Sequence, residues 1–188
     1  MTNQGEVNNL TQELSEISER VKTEFRSLSY EQLNWKPSPE RWSVAQCFDH
    51  LITGNKAYFP IIESVVKGKK ETKFAERLPV LPKVWGRLLI KSLDPKTTRK
   101  MKAPAGFQPS ASDVPATIID DFLATQDQVA ELMNQTSQLN LDRIIITSPA
   151  NGAITYSLMD AYRIVVVHEQ RHFLQAKRVK EEKEFPGE

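Results

Sequence analysis

Apolar residues recur at spacings of three and four along four segments of this 188-residue chain. In the first segment, from about Val7 to Leu28, these residues fall on one stripe of a helix: Leu10, Leu14, Ile17, Val21 and Phe25. The second helix is expected to begin at Ser43, a residue type that caps helix N-termini, and to continue to about Lys67. Such segments cannot bury an apolar stripe alone, so they predict helices packed on one another.

Two further long helices are predicted in the second half of the chain. Ser112 or Asp113 is expected to cap the third helix, which continues to about Leu139. The fourth is expected to begin near Ser157 and to run to about Glu182. Four long amphipathic segments with a long excursion between the second and third predict an all-α fold, a four-helix bundle with a long crossover connection.

The connecting segments are less regular. The middle excursion, 69–114, holds one expected short helix, Leu81–Leu93, and a loop rich in proline and glycine at 103–109. Two prolines in the segment 30–41 argue against a regular helix there. The segment 143–147 has β-propensity, but a lone strand lacks a partner, so we expect an extended connection.

Length and composition fit one domain over residues 1–188, with a frayed tail expected at 183–188. Basic and acidic residues nearly balance, at 25 and 24, which gives no reason to expect nucleic acid or a membrane as partner. The polar N-terminus carries no signal-peptide pattern, and the single cysteine, Cys47, allows no internal disulfide. We therefore expect a cytoplasmic protein.

The three histidines of the chain form the most informative pattern. His168 and His172 are four residues apart, which places them one turn apart on one helix face. His50 lies among apolar residues of the second helix, where an unpaired imidazole is costly. If the two helices are neighbours, the three imidazoles converge and hold a divalent transition metal with a coordination position open to water or substrate. The alternative is a chance histidine pair on a solvated helix.

Three other polar residues are candidates for catalysis. Gln46, one turn before His50, and Gln175, three residues after His172, are placed to line the metal pocket and hold a water molecule. Tyr58, two turns after His50, is a candidate proton donor to a leaving group. Each of the three is equally compatible with a purely structural role.

Residues beside the histidines have both a functional and a structural interpretation. Cys47 is a candidate fourth ligand or a small core residue. Asp49 and Glu169 face away from the ligand beside them and are expected to be solvated or paired, although either can orient an imidazole. Trp35 and Trp42 are expected to pin their loop over one end of the bundle rather than to form a pocket wall.

Several motifs resemble one family. The segment Leu33–Leu51 contains a Trp-x-Pro sequence, then Trp-Ser, then the histidine of the second helix. The His-x-x-x-His sequence within His168–Gln175 and the mid-chain segment Phe107–Pro109 add to this pattern. Together they resemble the DinB/YfiT-like superfamily, over residues 10 to about 178.

This resemblance implies a four-helix bundle with a three-histidine site for zinc or nickel, formed by His50, His168 and His172, and often a homodimer. Functions in the superfamily are diverse. Some members transfer low-molecular-weight thiols such as bacillithiol onto electrophiles, some are thiol-dependent isomerases, and many are described only as metal-dependent hydrolases.

The sequence therefore predicts a divalent-metal-binding helical bundle that acts on a small-molecule substrate. If it is an enzyme, it activates water or a low-molecular-weight thiol, a co-substrate, for hydrolysis or for transfer to a small electrophile. The alternatives are a non-catalytic, stress-related dimeric bundle that binds metal or a small ligand, and a structural homodimer with a vestigial site. Sequence alone leaves open whether the protein is an enzyme.

Overall fold

The computed structural model describes residues 3–77, 81–97, 103–110 and 113–187. Most of these residues are helical. In chain order the elements are α1 (Gln4–Phe25), α2 (Tyr30–Asn34), α3 (Val44–Lys56), α4 (Phe59–Val66), a 3-10 turn (Phe74–Arg77), α5 (Leu81–Leu93), a second 3-10 turn (Ala105–Phe107), α6 (Ile118–Thr136), β1 (Ile145–Ser148), β2 (Asn151–Ser157) and α7 (Leu158–Lys180). Within this part of the chain, every helix is too short or too polar to cross a membrane.

Four long helices form the bundle. Helix α3 packs against α6 and α7, and α1 packs against the same two helices. The predicted apolar stripe of α1 is buried along its whole length: Val7, Leu10, Leu14, Ile17, Val21 and Phe25. The prediction of a mainly helical bundle is therefore confirmed, and α5 lies against α7 as an additional helix from the middle excursion.

The predicted second helix is two helices. Helix α3 ends at Lys56 and α4 begins at Phe59, so the expectation of one helix reaching Lys67 was wrong. Pro60 explains the break, because proline lacks a backbone N–H and is tolerated only in the first turn of a helix. The predicted N-terminus is confirmed, since the Ser43 side chain accepts a hydrogen bond from the Gln46 N–H and the Gln46 side chain accepts one from the Ser43 N–H.

The predicted cap of the third helix was also wrong. Helix α6 begins at Ile118, and Ser112 lies outside the described residues. Asp113 has a φ of 56° and accepts a hydrogen bond from the Tyr30 hydroxyl instead of capping the helix. Pro115 delays the helix because it disfavours helical backbone at the residue before it.

A hairpin replaces the expected extended connection at 143–147. Strand β1 pairs antiparallel with β2, with Ile145 opposite Ser157 and Ile146 opposite Tyr156. The partner strand β2 was not predicted, and it ends at Ser157, near which the last helix was expected to begin. The hairpin leads directly into α7, where the Ser157 side chain accepts a hydrogen bond from the Asp160 N–H at 3.0 Å, so the predicted start of that helix is confirmed.

The segment before Pro37 and Pro39 contains one short helix. Ser29 and Gln32 form a capping box around α2, so the expectation of no regular helix was wrong for those five residues. The C-terminal tail contacts this region. The Phe185 ring packs edge-on against Trp35 at 5.5 Å, and the Gln32 side chain donates a hydrogen bond to the Pro186 carbonyl at 3.0 Å.

Glu76 anchors the first 3-10 turn to the hairpin and is only 6% exposed. One carboxylate oxygen accepts a hydrogen bond from the Thr147 hydroxyl at 2.9 Å. The other accepts from the Lys70 ammonium at 2.6 Å and from the Lys73 N–H at 3.0 Å. Burial alone raises the pKa of Glu76, but these three hydrogen bonds together lower it below its ordinary value of 4.5.

Glu76→Gln is expected to lower the free energy of unfolding by about 1–3 kcal/mol at pH 7. Because the folded pKa lies below the unfolded one, the stabilisation by the ionised carboxylate is complete above pH 4.5 and is lost as the pH falls through the folded pKa. Urea unfolding at pH 7 and at lower pH measures this difference, with the half-exposed Glu63→Gln as control. A difference between wild type and Glu76→Gln that is independent of pH would contradict this assignment.

Gly86 allows α5 to approach α7 closely. A Cβ atom at this position would lie 2.8 Å from Asp160 Cγ and 3.1 Å from Asp160 Cβ, closer than side chains pack. Gly86→Ala is therefore expected to destabilise the protein by about 1–3 kcal/mol, despite the higher helix propensity of alanine. Thermal unfolding measures the effect. In an Asp160→Ala background only the 3.1 Å contact with Cβ remains, so the same substitution is expected to cost clearly less; equal destabilisation in both backgrounds would disprove the contact.

Candidate metal centre

The bundle brings the three histidines together. His50 lies on α3, and His168 and His172 lie one turn apart on α7, the helix that packs against α3. One ring nitrogen of each residue lies within 4.8 Å of those of the other two, as convergence requires. The described residues place no cysteine or carboxylate in this cluster.

The spacing of the ring nitrogens suits a metal ion. His50 Nε2 and His168 Nε2 are 3.1 Å apart. A metal with bonds of about 2.0–2.1 Å to nitrogen, at angles between 90° and tetrahedral, holds neighbouring ligand nitrogens roughly 2.8–3.4 Å apart. These two imidazoles therefore already have the separation that a shared ion imposes.

The ring orientation of His50 is set by a backbone contact. His50 Nδ1–H donates a hydrogen bond to the Phe107 carbonyl at 2.5 Å. With the proton on Nδ1, the lone pair of Nε2 is free and faces His168. A hydrogen bond from the non-ligating nitrogen to a carbonyl is the usual way in which proteins orient metal-binding imidazoles.

Two polar side chains of α3 hold the loop that carries Phe107. The Gln46 amide donates a hydrogen bond to the Ser110 carbonyl at 2.7 Å. The Asp49 carboxylate accepts one from the Ser110 N–H at 2.6 Å. Gln46 and Asp49 therefore fix the loop that orients His50, and this is where the structure places two of the residues singled out from the sequence.

The electrostatic environment keeps the imidazoles neutral, the form that binds metal. Burial, followed by the neighbouring imidazole of His50 and the Arg171 guanidinium, lowers the pKa of His168 to about 3. Burial also lowers the pKa of His50 and His172. The side chain of the candidate Gln175 lies close to the His172 ring. Its interaction with that ring acts in the opposite direction and raises the pKa of His172.

His172 carries an orphaned polar atom. Its Nδ1 is buried and has no hydrogen-bond partner among the residues that the structure describes. A buried polar nitrogen without a partner is costly, and a metal ion bound by this atom would remove that cost. This atom, together with the nitrogen spacing at His50 and His168, shows that the three residues fit a metal ion.

Trp42 forms one wall of the site. Its ring stacks on His172 at 5.6 Å with an angle of 20° between the planes, and its centroid is 4.9 Å from that of His50. The expectation that both tryptophans only pin a loop was therefore wrong for Trp42, whereas Trp35 packs against the C-terminal tail. The helix start at Ser43 positions Trp42, because it places the indole directly before the first turn of α3.

Three residues singled out from the sequence are engaged elsewhere. The Tyr58 hydroxyl shares a 2.6 Å hydrogen bond with the Tyr156 hydroxyl, and burial raises the pKa of Tyr58 well above its ordinary value. Cys47 is fully buried in the apolar core, and burial raises the pKa of its thiol. Glu169 is buried between two amide donors, Asn55 and Gln126.

A model of the DinB superfamily matches residues 13–176, which spans all three histidines. No curated protein and no solved structure matched the chain.

Proposed function

The chain belongs to the DinB superfamily, and from this premise we propose that His50, His168 and His172 hold one divalent transition metal, zinc or nickel, in an enzyme of small-molecule chemistry. Its reaction is hydrolysis or the transfer of a low-molecular-weight thiol to a small electrophile. The observation that carries the proposal is the convergence of three neutral imidazoles, one of them with its Nε2 lone pair freed by the Phe107 carbonyl.

A divalent ion with an open coordination position supplies a Lewis acid that lowers the pKa of water or a thiol toward neutrality. Groups of the protein itself orient the His50 imidazole and cover one side of the site. The Phe107 carbonyl fixes the His50 tautomer, and Trp42 covers one side of the site. His168 keeps part of its surface exposed, so the proposed substrate reaches the site along its side.

The cluster lacks an obvious general base. Among the described residues it contains only imidazoles, and the two carboxylates adjacent to a ligand in sequence accept hydrogen bonds elsewhere, Asp49 from the Ser110 N–H and Glu169 from Asn55 and Gln126. This favours a nucleophile that ionises readily, which supports a thiol over water. The same observation supports the second candidate function, a non-catalytic bundle that captures a small ligand at the open position.

Turnover measurements separate the two functions. We expect zinc- or nickel-loaded protein to conjugate a small thiol to monochlorobimane, or to hydrolyse a small ester, and His50→Ala to lose this activity. Asp127→Ala, at an exposed position of α6, is the matched control and should retain it. Metal binding without turnover of any common thiol or ester would favour the binding function, and activity unchanged in His50→Ala would refute the site.

We also infer a homodimer in the cytoplasm. The exposed apolar side chains of Val84 and Leu88, one turn apart on α5, support an interface between copies of the chain. Light scattering after gel filtration tests it: a dimer that Val84→Asp with Leu88→Asp converts to a monomer is expected. A monomeric wild type would exclude the homodimer.

A further inference from the structure

A surface groove lies between α5, the segment that follows it, and α7. Its volume is about 460 Å³, within the range of about 300–1,000 Å³ typical of small-molecule sites. Eight residues line it: Arg87, Ile90, Lys91, Asp94, Pro95, Lys96, Val167 and Gln170. None of the three histidines is among them, so this groove is a separate site.

The groove carries unbalanced positive charge. Three of its lining residues, Arg87, Lys91 and Lys96, are cationic, whereas Asp94 is the single acid. Asp94 accepts a hydrogen bond from the Lys96 backbone N–H at 2.8 Å. Within the described ranges, none of the three cationic side chains has a hydrogen-bond or ion-pair partner. These exposed cationic side chains are therefore available to an anionic ligand.

Three of the remaining lining residues are apolar. Ile90 on α5, Pro95 after it and Val167 on α7 contribute carbon surface between the cationic groups. Bare inorganic anions gain nothing from such walls, whereas an apolar group attached to the anion gains free energy by leaving water. The combination selects a ligand with one acidic head group and a short apolar body.

Hydrogen bonds hold the wall of the groove in place. Arg171 donates to the carbonyl oxygens of Asp94 and Thr97 at 3.4 and 3.3 Å, and the Thr97 N–H donates to the Asp94 carbonyl at 2.8 Å. On α7, Gln170 is fixed by a 2.9 Å hydrogen bond from its amide to Glu13. The groove is thus built from anchored elements.

We propose that this groove between α5 and α7 binds a small amphipathic anion, with its acidic head on Arg87, Lys91 and Lys96 and its apolar body on Ile90 and Val167. On α7, Val167 and Gln170 are turned by about 100° and 160° from His168 around the helix axis. The groove therefore lies on a different face of α7 from the histidine cluster and does not depend on a metal there.

Isothermal titration calorimetry of the metal-free full chain with phenylphosphonate, which resists hydrolysis, tests the proposal. We expect saturable 1:1 binding that weakens at least tenfold in Arg87→Gln with Lys91→Gln, and measurably in Lys96→Gln alone. Lys83→Gln, at an exposed lysine of α5 outside the groove, is the matched control and should bind as wild type does. Circular dichroism confirms that each variant is folded.

Two further titrations separate the contribution of the acidic head group from that of the apolar body. Inorganic phosphate presents the head group alone and benzyl alcohol a neutral aromatic body, and both are expected to bind at least tenfold more weakly than phenylphosphonate. No saturable binding of phenylphosphonate would overturn the proposal. Equal affinity for inorganic phosphate would refute the amphipathic ligand, and equal weakening by Lys83→Gln would refute the location. Because the protein is metal-free, these outcomes are independent of the proposed metal chemistry.

Discussion

His168→Ala is expected to abolish stoichiometric binding of zinc or nickel. Two imidazoles, His50 and His172, remain after the substitution, and a pair of neutral ligands holds a divalent ion far more weakly than three. We expect the Kd to rise by a factor of more than about 100. Metal at 100 times the wild-type Kd stabilises the native state by about 2.7 kcal/mol, and the variant should keep at most about 0.4 kcal/mol of this stabilisation.

Two measurements check this result, the metal content of the purified protein and the shift of the unfolding temperature on adding zinc. Arg178→Ala, at an exposed position of the same helix, should keep both the metal and the shift. A His168→Ala variant that retains one metal per chain and the full shift would show that the ion, if present, binds elsewhere.

Glu169→Leu is expected to cause the largest loss of stability, about 2–6 kcal/mol, because it leaves two buried amide donors without acceptors at about 1–3 kcal/mol each. Glu169 is 0% exposed. One of its carboxylate oxygens accepts from Asn55 on α3 and the other from Gln126 on α6, both at 2.7 Å. This residue of α7 is thereby hydrogen-bonded both to α3, the helix that carries His50, and to α6.

Glu169→Gln is the matched variant. Its amide oxygen still accepts one of the two hydrogen bonds, and Gln126 has a buried Oε1 without a partner in the described chain, which can accept from the new amide after a flip. We therefore expect Glu169→Gln to lose much less stability than Glu169→Leu in urea unfolding of the metal-free protein. Equal losses, or a leucine variant as stable as wild type, would contradict the role of these hydrogen bonds.

Local sequence signals predicted the bundle well. Apolar periodicity located α1 and α7, and the serines at 43 and 157 marked helix starts because a cap depends only on neighbouring residues. The hairpin was missed because a strand is recognised through its partner, and the partner β2 continues directly into α7. The cap at Asp113 was mispredicted because Pro115 delays the helix that a capping residue otherwise starts.

The site was predictable only in part. Spacing along one helix brings His168 and His172 together, and the apolar setting of His50 indicated a buried role. Contacts between distant segments were not predictable from spacing. The Phe107 carbonyl, the stacking of Trp42 on His172 and the amide partners of Glu169 all depend on how loops and helices meet in three dimensions. The Phe-Gln-Pro motif was the one sequence signal for the first of these contacts.

The central claim is that one divalent ion binds between the three imidazoles. Anomalous diffraction from crystals grown with zinc or nickel, recorded at the absorption edge of that metal, tests it most directly. The account predicts one strong peak per chain, about 2.0–2.2 Å from a ring nitrogen of each of His50, His168 and His172. A saturated crystal with no peak there, or with its main peak at other residues, would contradict it.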